Sequence, residues 1–447
     1  VGILRKYIGD LFIPPRFYFV AGGCAVFFLI SFFIPVLYTL ARILLAGAAV
    51  LFLVDYIFLF VFGRSPSVRR VVQERLSNGD ENHILLRIHN RMPFSIHMEI
   101  LDELPEQLQE RHFILQRRLQ ANEKADVPYL IRPTERGGYA FGRVLVYVRS
   151  LLGLACRRFT TDAGKEVAVY PSFMHFRKYQ LAAEAAQVNE QGARKVRKIG
   201  QSMEFEQIKE YVTGDDIRTI NWKATARKGG LMVNSFMEEK SQQVYCLVDK
   251  GRLMKMPFQG LSLLDYAINS TLVMTGVCLQ KQDRVGLLTF SDRMGAMVAA
   301  DRKPVQREKI MQVLYKQQTA FLESDFEMLY MQVRAKIKQR SLLILYTNFE
   351  SLNSLRRQLP YLRSMARYHL LLVVFFENTE LTRLSQTQAE NIEDVYIRTI
   401  AEKFHFEKKL IVRELQKYGI LSVLTSPQNL TVQTVNKYLE LKNRQAL

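Results

Sequence analysis

The sequence predicts a multidomain chain: a two-helix transmembrane hairpin, then a small β-sandwich, then an α/β doubly wound domain. Three observations predict it. Two long apolar stretches crowd the residues before 63, short runs of alternating apolar and polar residues fill roughly 66 to 170, and beyond 244 apolar runs alternate with helical periodicity. At 447 residues the chain is too long for one ordinary core. The expected divisions are an interfacial segment at 1–16, the hairpin at 17–63, the β-sandwich-like domain at 64–171, a connector at 172–243 and the α/β domain at 244–447.

Phe17 to Ile34 contains no charged residue, and Ile43 to Phe62 contains only Asp55. Each approaches the ~20 residues that a helix needs to cross ~30 Å of hydrocarbon. The turn is expected at Pro35 to Arg42. Two successive spans without a small-residue cleavage pattern do not read as a cleavable signal peptide. Arg5, Lys6 and Arg16 precede the spans, Arg64, Arg69 and Arg70 follow them, and Arg42 stands between, so both ends are expected to face the cytoplasm at the plasma (inner) membrane. Ile3, Leu4, Tyr7, Ile8 and Leu11 have the spacing of a short interfacial helix. Asp55, an ionisable group inside a span, is expected to hydrogen-bond across the hairpin or to a neighbouring copy.

In the β region, Ile84, Leu86 and Ile88 alternate within His83 to His89, and Phe141, Val144, Val146 and Val148 are read as a second such run over Tyr139 to Val148. Turn signals at Asn78-Gly79-Asp80, Asn90 to Pro93 and Arg136-Gly137-Gly138 separate six to eight expected strands. No catalytic constellation stands out here, and a spacer or binding module is expected. Ser172 to Gln201 is polar and basic, with Arg194, Lys195, Arg197 and Lys198 bunched together. Without interleaved aromatics to stack on bases, that cluster reads as solvated linker, and no specific nucleic acid is expected.

Expected strands of the α/β domain are Val244 to Val248, Arg284 to Phe290, Leu342 to Tyr346, Leu370 to Phe376 and Ile420 to Leu424. Helical patterns fill Ser262 to Gln280, Val305 to Gln317, Asp325 to Gln339, Ser351 to Met365, Glu402 to Tyr418 and Asn429 to Leu441. Ligands in such sheets bind beyond the carboxyl ends of the strands, and Asp249 stands at one such end.

The stretch Glu204 to Arg227 holds the sole tryptophan and dense mixed charge. Gly214 tolerates positive φ and can end one element, and Asp215 or Asp216 can then cap a helix from about Ile217 to Ala226. Two readings of Glu210, Asp215, Asp216 and Arg218 are open. Clustered carboxylates can hold Mg²⁺ for phosphoryl transfer, although Arg218 and Lys223 compete for them. Alternatively the helix is structural, its acids paired with Arg218 and Arg227 and Trp222 packed inward. A surface for recognition is compatible with the second.

The run Glu210-Tyr211-x-x-Gly214-Asp215-Asp216-x-Arg218-x-Ile220-x-Trp222-x-Ala224-Thr225-Ala226-Arg227 resembles the signature of the family catalogued as domain of unknown function 58. Arg136-Gly137-Gly138-Tyr139, Leu152-Gly153-Leu154 and Val169-Tyr170-Pro171 are similar to motifs that precede it. The resemblance covers most of the chain after Arg64 and implies membrane-anchored proteins with a von Willebrand factor A-like domain. Such a domain places a metal-binding Asp-x-Ser-x-Ser where this chain has Asp249-Lys250-Gly251-Arg252-Leu253. Both hydroxyls are missing and two cations are present, so Asp249, Gly251 and Arg252 mark a degenerate metal position. Ser324-Asp325 and Thr347-Asn348 are weak substitutes for the remaining ligands. No metal or cofactor is expected.

A formal charge of +19 suits an anionic partner or a cytoplasmic-face membrane protein. Cys24, Cys156, Cys246 and Cys278 lack the spacing of a disulfide framework or zinc site and read as small core residues. The function expected is a non-enzymatic scaffold or adaptor held by the lipid bilayer. The family resemblance implies a protein partner of the MoxR-type AAA+ ATPase class in complex assembly or envelope maintenance. The rivals are a Mg²⁺-dependent enzyme using Glu210, Asp215 and Asp216, and a metal-dependent adhesion module. The docking face is expected to include Glu210, Tyr211, Gly214, Asp215, Asp216, Arg218, Asn221, Trp222 and Arg227.

Overall fold

Proline is tolerated at the first helical position, where the N–H it lacks has no intrahelical partner anyway, and helix α1 (Pro15–Phe33) begins there. The computed structural model describes residues 9–34, 36–110, 113–150, 152–172, 203–213, 215–238, 242–317, 319–386 and 391–444. They fall in two units, Val1–Tyr170 and Pro171–Leu447.

In the first unit, α1 is followed by α2 (Val36–Ile57), which continues into a wider π turn at Phe58–Phe62. Both helices are long and apolar enough to cross a membrane, and they are little covered by the protein, with Phe32 84% exposed. The expected turn over Pro35 to Arg42 is corrected: α2 starts at Val36, since Leu37, Leu40 and Ala41 extend its apolar pattern. Arg42 is accommodated with its guanidinium 5.9 Å from the Tyr38 ring centre. The interfacial helix expected over Ile3 to Leu11 lies outside the described residues as far as Ile8. Leu11 belongs instead to strand β1 (Leu11–Phe12), paired antiparallel with Cys156 and Arg157.

Ten further strands follow among the described residues, more than expected: β2 (Ser67–Val71), β3 (Arg75–Ser77), β4 (Asn82–His89), β5 (Ile96–Asp102), β6 (Ile114–Leu119), β7 (Lys124–Ile131), β8 (Gly137–Phe141), β9 (Val144–Arg149), β10 (Cys156–Thr161) and β11 (Lys165–Tyr170). They form sheets β1-β10-β9-β5-β6, β2-β4-β7 and β3-β11-β8. Ile84, Leu86, Ile88, Met98, Ile100, Val146, Val148 and Val167 share one core. The single strand read over Tyr139 to Val148 is two strands in different sheets. Inward residues sit at odd numbers up to Phe141 and at even numbers from Val144, and that parity change falls where the chain turns a corner at Gly142 and Arg143.

Asp55 is buried and accepts hydrogen bonds from the backbone N–H groups of Leu154 and Ala155, each at 2.8 Å, and from Ser150 Oγ. Its expected partner across the hairpin is therefore corrected. The donors come from the loop before β10, which packs against the last turns of α2.

The second unit opens with β12 (Met203–Glu210) paired antiparallel with β13 (Met232–Glu238). Between them lie a 3₁₀ turn at Ile217–Thr219 and helix α3 (Trp222–Lys228). The single helix expected from Ile217 to Ala226 is thus broken, because Ile220 bridges to Val233 and Asn221 caps α3 by accepting from Ala224 N at 3.0 Å. The basic cluster Arg194 to Lys198 and Gly214 lie outside the described residues.

A six-stranded sheet follows, in the order β18-β17-β14-β19-β20-β21: β14 (Gln243–Asp249), β17 (Arg284–Phe290), β18 (Met294–Asp301), β19 (Leu342–Tyr346), β20 (Leu370–Phe376) and β21 (Leu421–Thr425). Only β18, an edge strand unforeseen in the sequence, runs antiparallel. A two-residue ribbon, β15 (Pro257–Phe258) with β16 (Leu261–Ser262), leads into α4 (Leu263–Gln280), whose Ser262 and Asp265 form a reciprocal capping box. The remaining helices are α5 (Val305–Tyr315), α6 (Phe326–Lys336), α7 (Leu352–Ala366), α8 (Thr379–Gln386), α9 (Ile392–Lys417) and α10 (Leu430–Asn443). Separate apolar clusters cover the two faces of the sheet, which is why its strands read as continuous apolar runs. All four cysteines are buried and free.

Asp55→Ala would leave two buried N–H groups without their acceptor. It should destabilise the first unit by roughly 3 kcal/mol, read as earlier thermal unfolding of the detergent-solubilised chain. A variant melting with the wild type would show that the Asp55 network contributes nothing.

Candidate functional site

Successive connections run from β14 to β17 and β18 on one side of the sheet and through β19, β20 and β21 on the other. The strand order therefore reverses between β14 and β19. A crevice opens beyond the carboxyl ends at such a reversal, where neighbouring connections diverge.

Asp249 ends β14 at that point and is buried. One carboxylate oxygen accepts from Gly251 N at 2.8 Å and from Ser324 Oγ, and the other accepts from Thr347 Oγ1 at 2.6 Å. The two weak substitutes noted in the sequence are thus both brought to Asp249. Its partners are hydroxyls from two other loops and a backbone turn. Gly251 is needed for this approach, since a Cβ there would collide with Ser324 Oγ and crowd Leu322 O at 3.1 Å. Burial pushes the Asp249 carboxyl above the usual range, with the Ser324, Thr347 and Gly251 hydrogen bonds pulling the other way. Burial likewise lowers Lys250, opposed by Asp292.

Beside this cluster lies a largely apolar cavity of about 620 Å³, lined by Met256, Phe258, Leu263, Phe376, Leu381 and Phe404 among others. Its polar groups converge from three strand ends and α9. Lys408 Nζ donates to Asn348 Oδ1 at 2.8 Å and to Phe349 O, and His405 Nδ1 lies 3.0 Å from Glu377 Oε1. Desolvation lowers the Lys408 ammonium to about 8, with Glu350 and Glu377 partly restoring it. Arg252 lines the same cavity.

The sequence reading missed Lys408, His405 and Glu377 as site residues. Each stands inside or at the end of an ordinary element, and nothing local marks them as neighbours. A signal did exist for the surface next to them: Ile392, Tyr396, Ile400 and Phe404 recur every fourth residue along α9, and all are exposed, Ile392 by 79% and Tyr396 by 67%.

The residues of the 210–227 stretch are held separately. Glu210 lies 3.7 Å from Lys228, with both largely exposed. Asp215 accepts from Lys209 Nζ at 2.8 Å and Val212 N at 3.0 Å, and these hydrogen bonds, Lys209 first, keep its carboxyl below the usual range. Asp216 caps the 3₁₀ turn by accepting from Arg218 N at 3.0 Å. Tyr211 N donates to Leu231 O at 2.9 Å, and Asn221 Nδ2 donates to Asn234 Oδ1 at 2.9 Å. The expected pairing of these acids with the Arg218 and Arg227 side chains is corrected; Lys209, Lys228 and backbone take their place. Trp222 does not pack inward: it is 70% exposed, because α3 is only seven residues long and turns its first residue to solvent. Among the described residues no three His, Cys, Asp or Glu side chains converge into a set able to hold a metal ion.

Fold and site together define a chain of two apolar N-terminal helices, a β-rich unit, and an α/β sheet with a cavity at its carboxyl edge. Residues 207–400 match the model of the family described as "Protein of unknown function DUF58", the family whose signature Glu210 to Arg227 resembles. "Uncharacterized protein YeaD" of Bacillus subtilis (strain 168) is 25% identical over 188 residues, 41% of this chain and 47% of that protein. The match thus spans about half the length of this curated relative. Among solved structures, the CARDB domain of the PF1109 protein from Pyrococcus furiosus is 12% identical, covering 24% of this chain and 92% of that one, with a TM-score of 0.17. Proximal thread matrix protein 1 from the mussel byssus is 11% identical, covering 43% and 45%, with a TM-score of 0.24.

Two outcomes follow from the geometry. A carboxyl whose folded pKa is raised above its unfolded value holds its proton longer in the folded state. Stability then falls as pH rises from about 4 through the folded pKa, and is flat above it. Asp249→Asn should remove that decline while keeping an acceptor for Gly251 N–H, measured by denaturant unfolding between pH 4 and 8. A wild type that instead gains stability relative to the variant over this window would contradict the assignment. Trp222→Ala should change stability by less than about 0.5 kcal/mol, whereas a core tryptophan would cost ~3–5 kcal/mol.

Proposed function

We propose that the chain is a membrane-anchored, non-enzymatic adaptor whose α/β domain docks a protein partner at the carboxyl edge of its sheet. The observation that carries this reading is the continuity of the exposed Ile392, Tyr396, Ile400 and Phe404 stripe with the apolar cavity that Phe404 lines. A contiguous apolar surface beside a concave pocket suits a helix or loop of another protein, with Lys408, Glu377 and Arg252 at hand to orient it.

The strand order β18-β17-β14-β19-β20-β21, with its antiparallel edge, supports a von Willebrand factor A-like domain. The shared core of the three preceding sheets supports a small β-sandwich. The anchor would be α1 and α2 spanning the bilayer, with flanking arginines favouring a cytoplasmic location for both units. That Asp249 spends its oxygens on Ser324, Thr347 and Gly251 supports binding without metal. The separate engagement of Glu210, Asp215 and Asp216 supports a structural role for the signature acids. The family resemblance suggests a MoxR-type AAA+ ATPase as the partner, which would supply the energy for complex assembly or envelope maintenance.

Tyr396→Glu combined with Ile400→Glu should abolish co-purification of a co-expressed MoxR-type ATPase from solubilised membranes, with thermal unfolding of the chain unchanged. An ATPase that never co-purifies, or one retained in full by the double variant, would sink this reading.

A further inference from the structure

A second cavity, of about 330 Å³, lies in the first unit, lined by Arg16, His97, Glu99, Arg117, Arg118 and Arg149 among others. Its floor is a cross-strand row. Arg118 on β6, His97 on β5 and Arg149 on β9 stand directly opposite one another, on the face away from the buried Met98. The next row holds Gln116, Glu99 and Tyr147. Neighbouring strands are ~4.8 Å apart, so two arginines flank one histidine on the same face of the sheet, and like charges placed side by side in this way disfavour one another.

The chain supplies little negative charge to relieve it. Glu99 pairs with Arg149 Nη2 at 2.6 Å and accepts from Gln116 Nε2 at 3.1 Å. Arg16, Arg117 and Arg118 make no ion pair among the described residues. Arg149 Nε is buried and has no hydrogen-bond partner among them. Burial first, and then Arg118, Arg16 and Arg149, hold His97 below its ordinary range. The backbone makes room for the fourth cation: Gly153 has a φ of +65°, and a Cβ there would lie 3.1 Å from Arg16 Nη1.

We propose that this cavity binds a phosphate group, with Arg16, Arg118 and Arg149 donating charge-assisted hydrogen bonds to its oxygens. Arg16 is the second residue of α1, so the cavity opens where that apolar helix begins. On the membrane-anchor reading, which this source of the ligand rests on, the phosphate is that of an anionic phospholipid headgroup; a free phosphate ion has the same chemistry.

Calorimetry on the full chain in neutral maltoside micelles tests the proposal, using monomeric dihexanoyl phosphatidylglycerol, dihexanoyl phosphatidylcholine and sodium phosphate as separate titrants. Saturable binding of phosphatidylglycerol is expected, weaker by at least tenfold in the Arg16→Gln, Arg118→Gln double variant with an unchanged melting curve. Glu99→Gln, which removes the carboxylate of the cavity, should shift affinity the opposite way, and it decides the matter if the double variant does not fold. Preference for phosphatidylglycerol assigns the lipid as source, and equal or tighter binding of sodium phosphate assigns the free ion. No saturable heat with either anion, or full binding by a folded double variant, overturns the site. Alkaline carbonate extraction of membranes tests the anchor independently: a chain released into the supernatant removes the anchor reading and leaves calorimetry to judge the cavity.

Discussion

A carboxylate taken out of water must be met by donors, and the elements carrying those donors are thereby fixed to one another. Four of the buried aspartates impose this constraint between elements. Asp55 ties α2 to the loop before β10, and Asp102 holds Arg70 and Tyr129. Asp249 joins the ends of β14 and β19 to the loop at Ser324, and Asp283 receives Gln242 N, Tyr438 and Lys442, pinning α10 to the start of the sheet. Apolar packing is non-directional, whereas the aspartates each need their donors at fixed positions, because a displaced loop would leave a buried polar group unpaired. They sit where strands and helices meet loops, which are the joints that packing constrains least.

That division explains what was legible in the sequence. The parallel strands are buried on both faces, so Arg284–Phe290, Leu342–Tyr346 and Leu370–Phe376 could be read to the residue. Side-chain caps made several helix starts equally plain, as at Ser262, Asp325 and Ser351. β18 escaped because an edge strand packed on one face, with Gly295 and alanines in its run, carries weak periodicity. The helix over Ile217 to Ala226 failed for another reason. The apolar spacing was genuine, but Ile220 is claimed by β13, a tertiary contact that no local pattern announces. Of the candidate site, Asp249 was visible as a strand end and Ser324 and Thr347 as weak neighbours. Lys408 and Glu377 reach the same cavity from elements far apart in the chain, and only the folded topology brings them together.

The chemistry at the end of β14 departs from that of a divalent-cation site in a specific way. Oxygen ligands for a hard cation keep lone pairs directed into one open volume. Here the Asp249 oxygens are directed at two hydroxyls and an N–H, and the raised carboxyl pKa reflects how dry that pocket is. An open volume lies beside it, where the walls include Phe376, Leu381 and Phe404 and the charged or titratable groups include Arg252, Lys408, His405 and Glu377. The position that the sequence marked as a degenerate metal site thus adjoins a cavity whose lining is apolar with a few polar groups.

Helix α9 adds a second apolar surface beside the cavity. Its 26 residues span about 39 Å, longer than the sheet layer it packs on. Ile411 and Leu415 in its second half are buried with the core, and Ala401 is the one residue before Phe404 that is buried among those described. A surface helix in water normally pairs one apolar face with the core and shows charge elsewhere. In the first half of α9 the apolar residues recur with helical spacing yet Ile392, Tyr396 and Ile400 remain more than half exposed, although α8 packs beside this helix. On the proposed adaptor reading, the adjoining cavity gives that periodicity a direction: a partner would lie along α9 and reach the carboxyl edge of the sheet at Phe404.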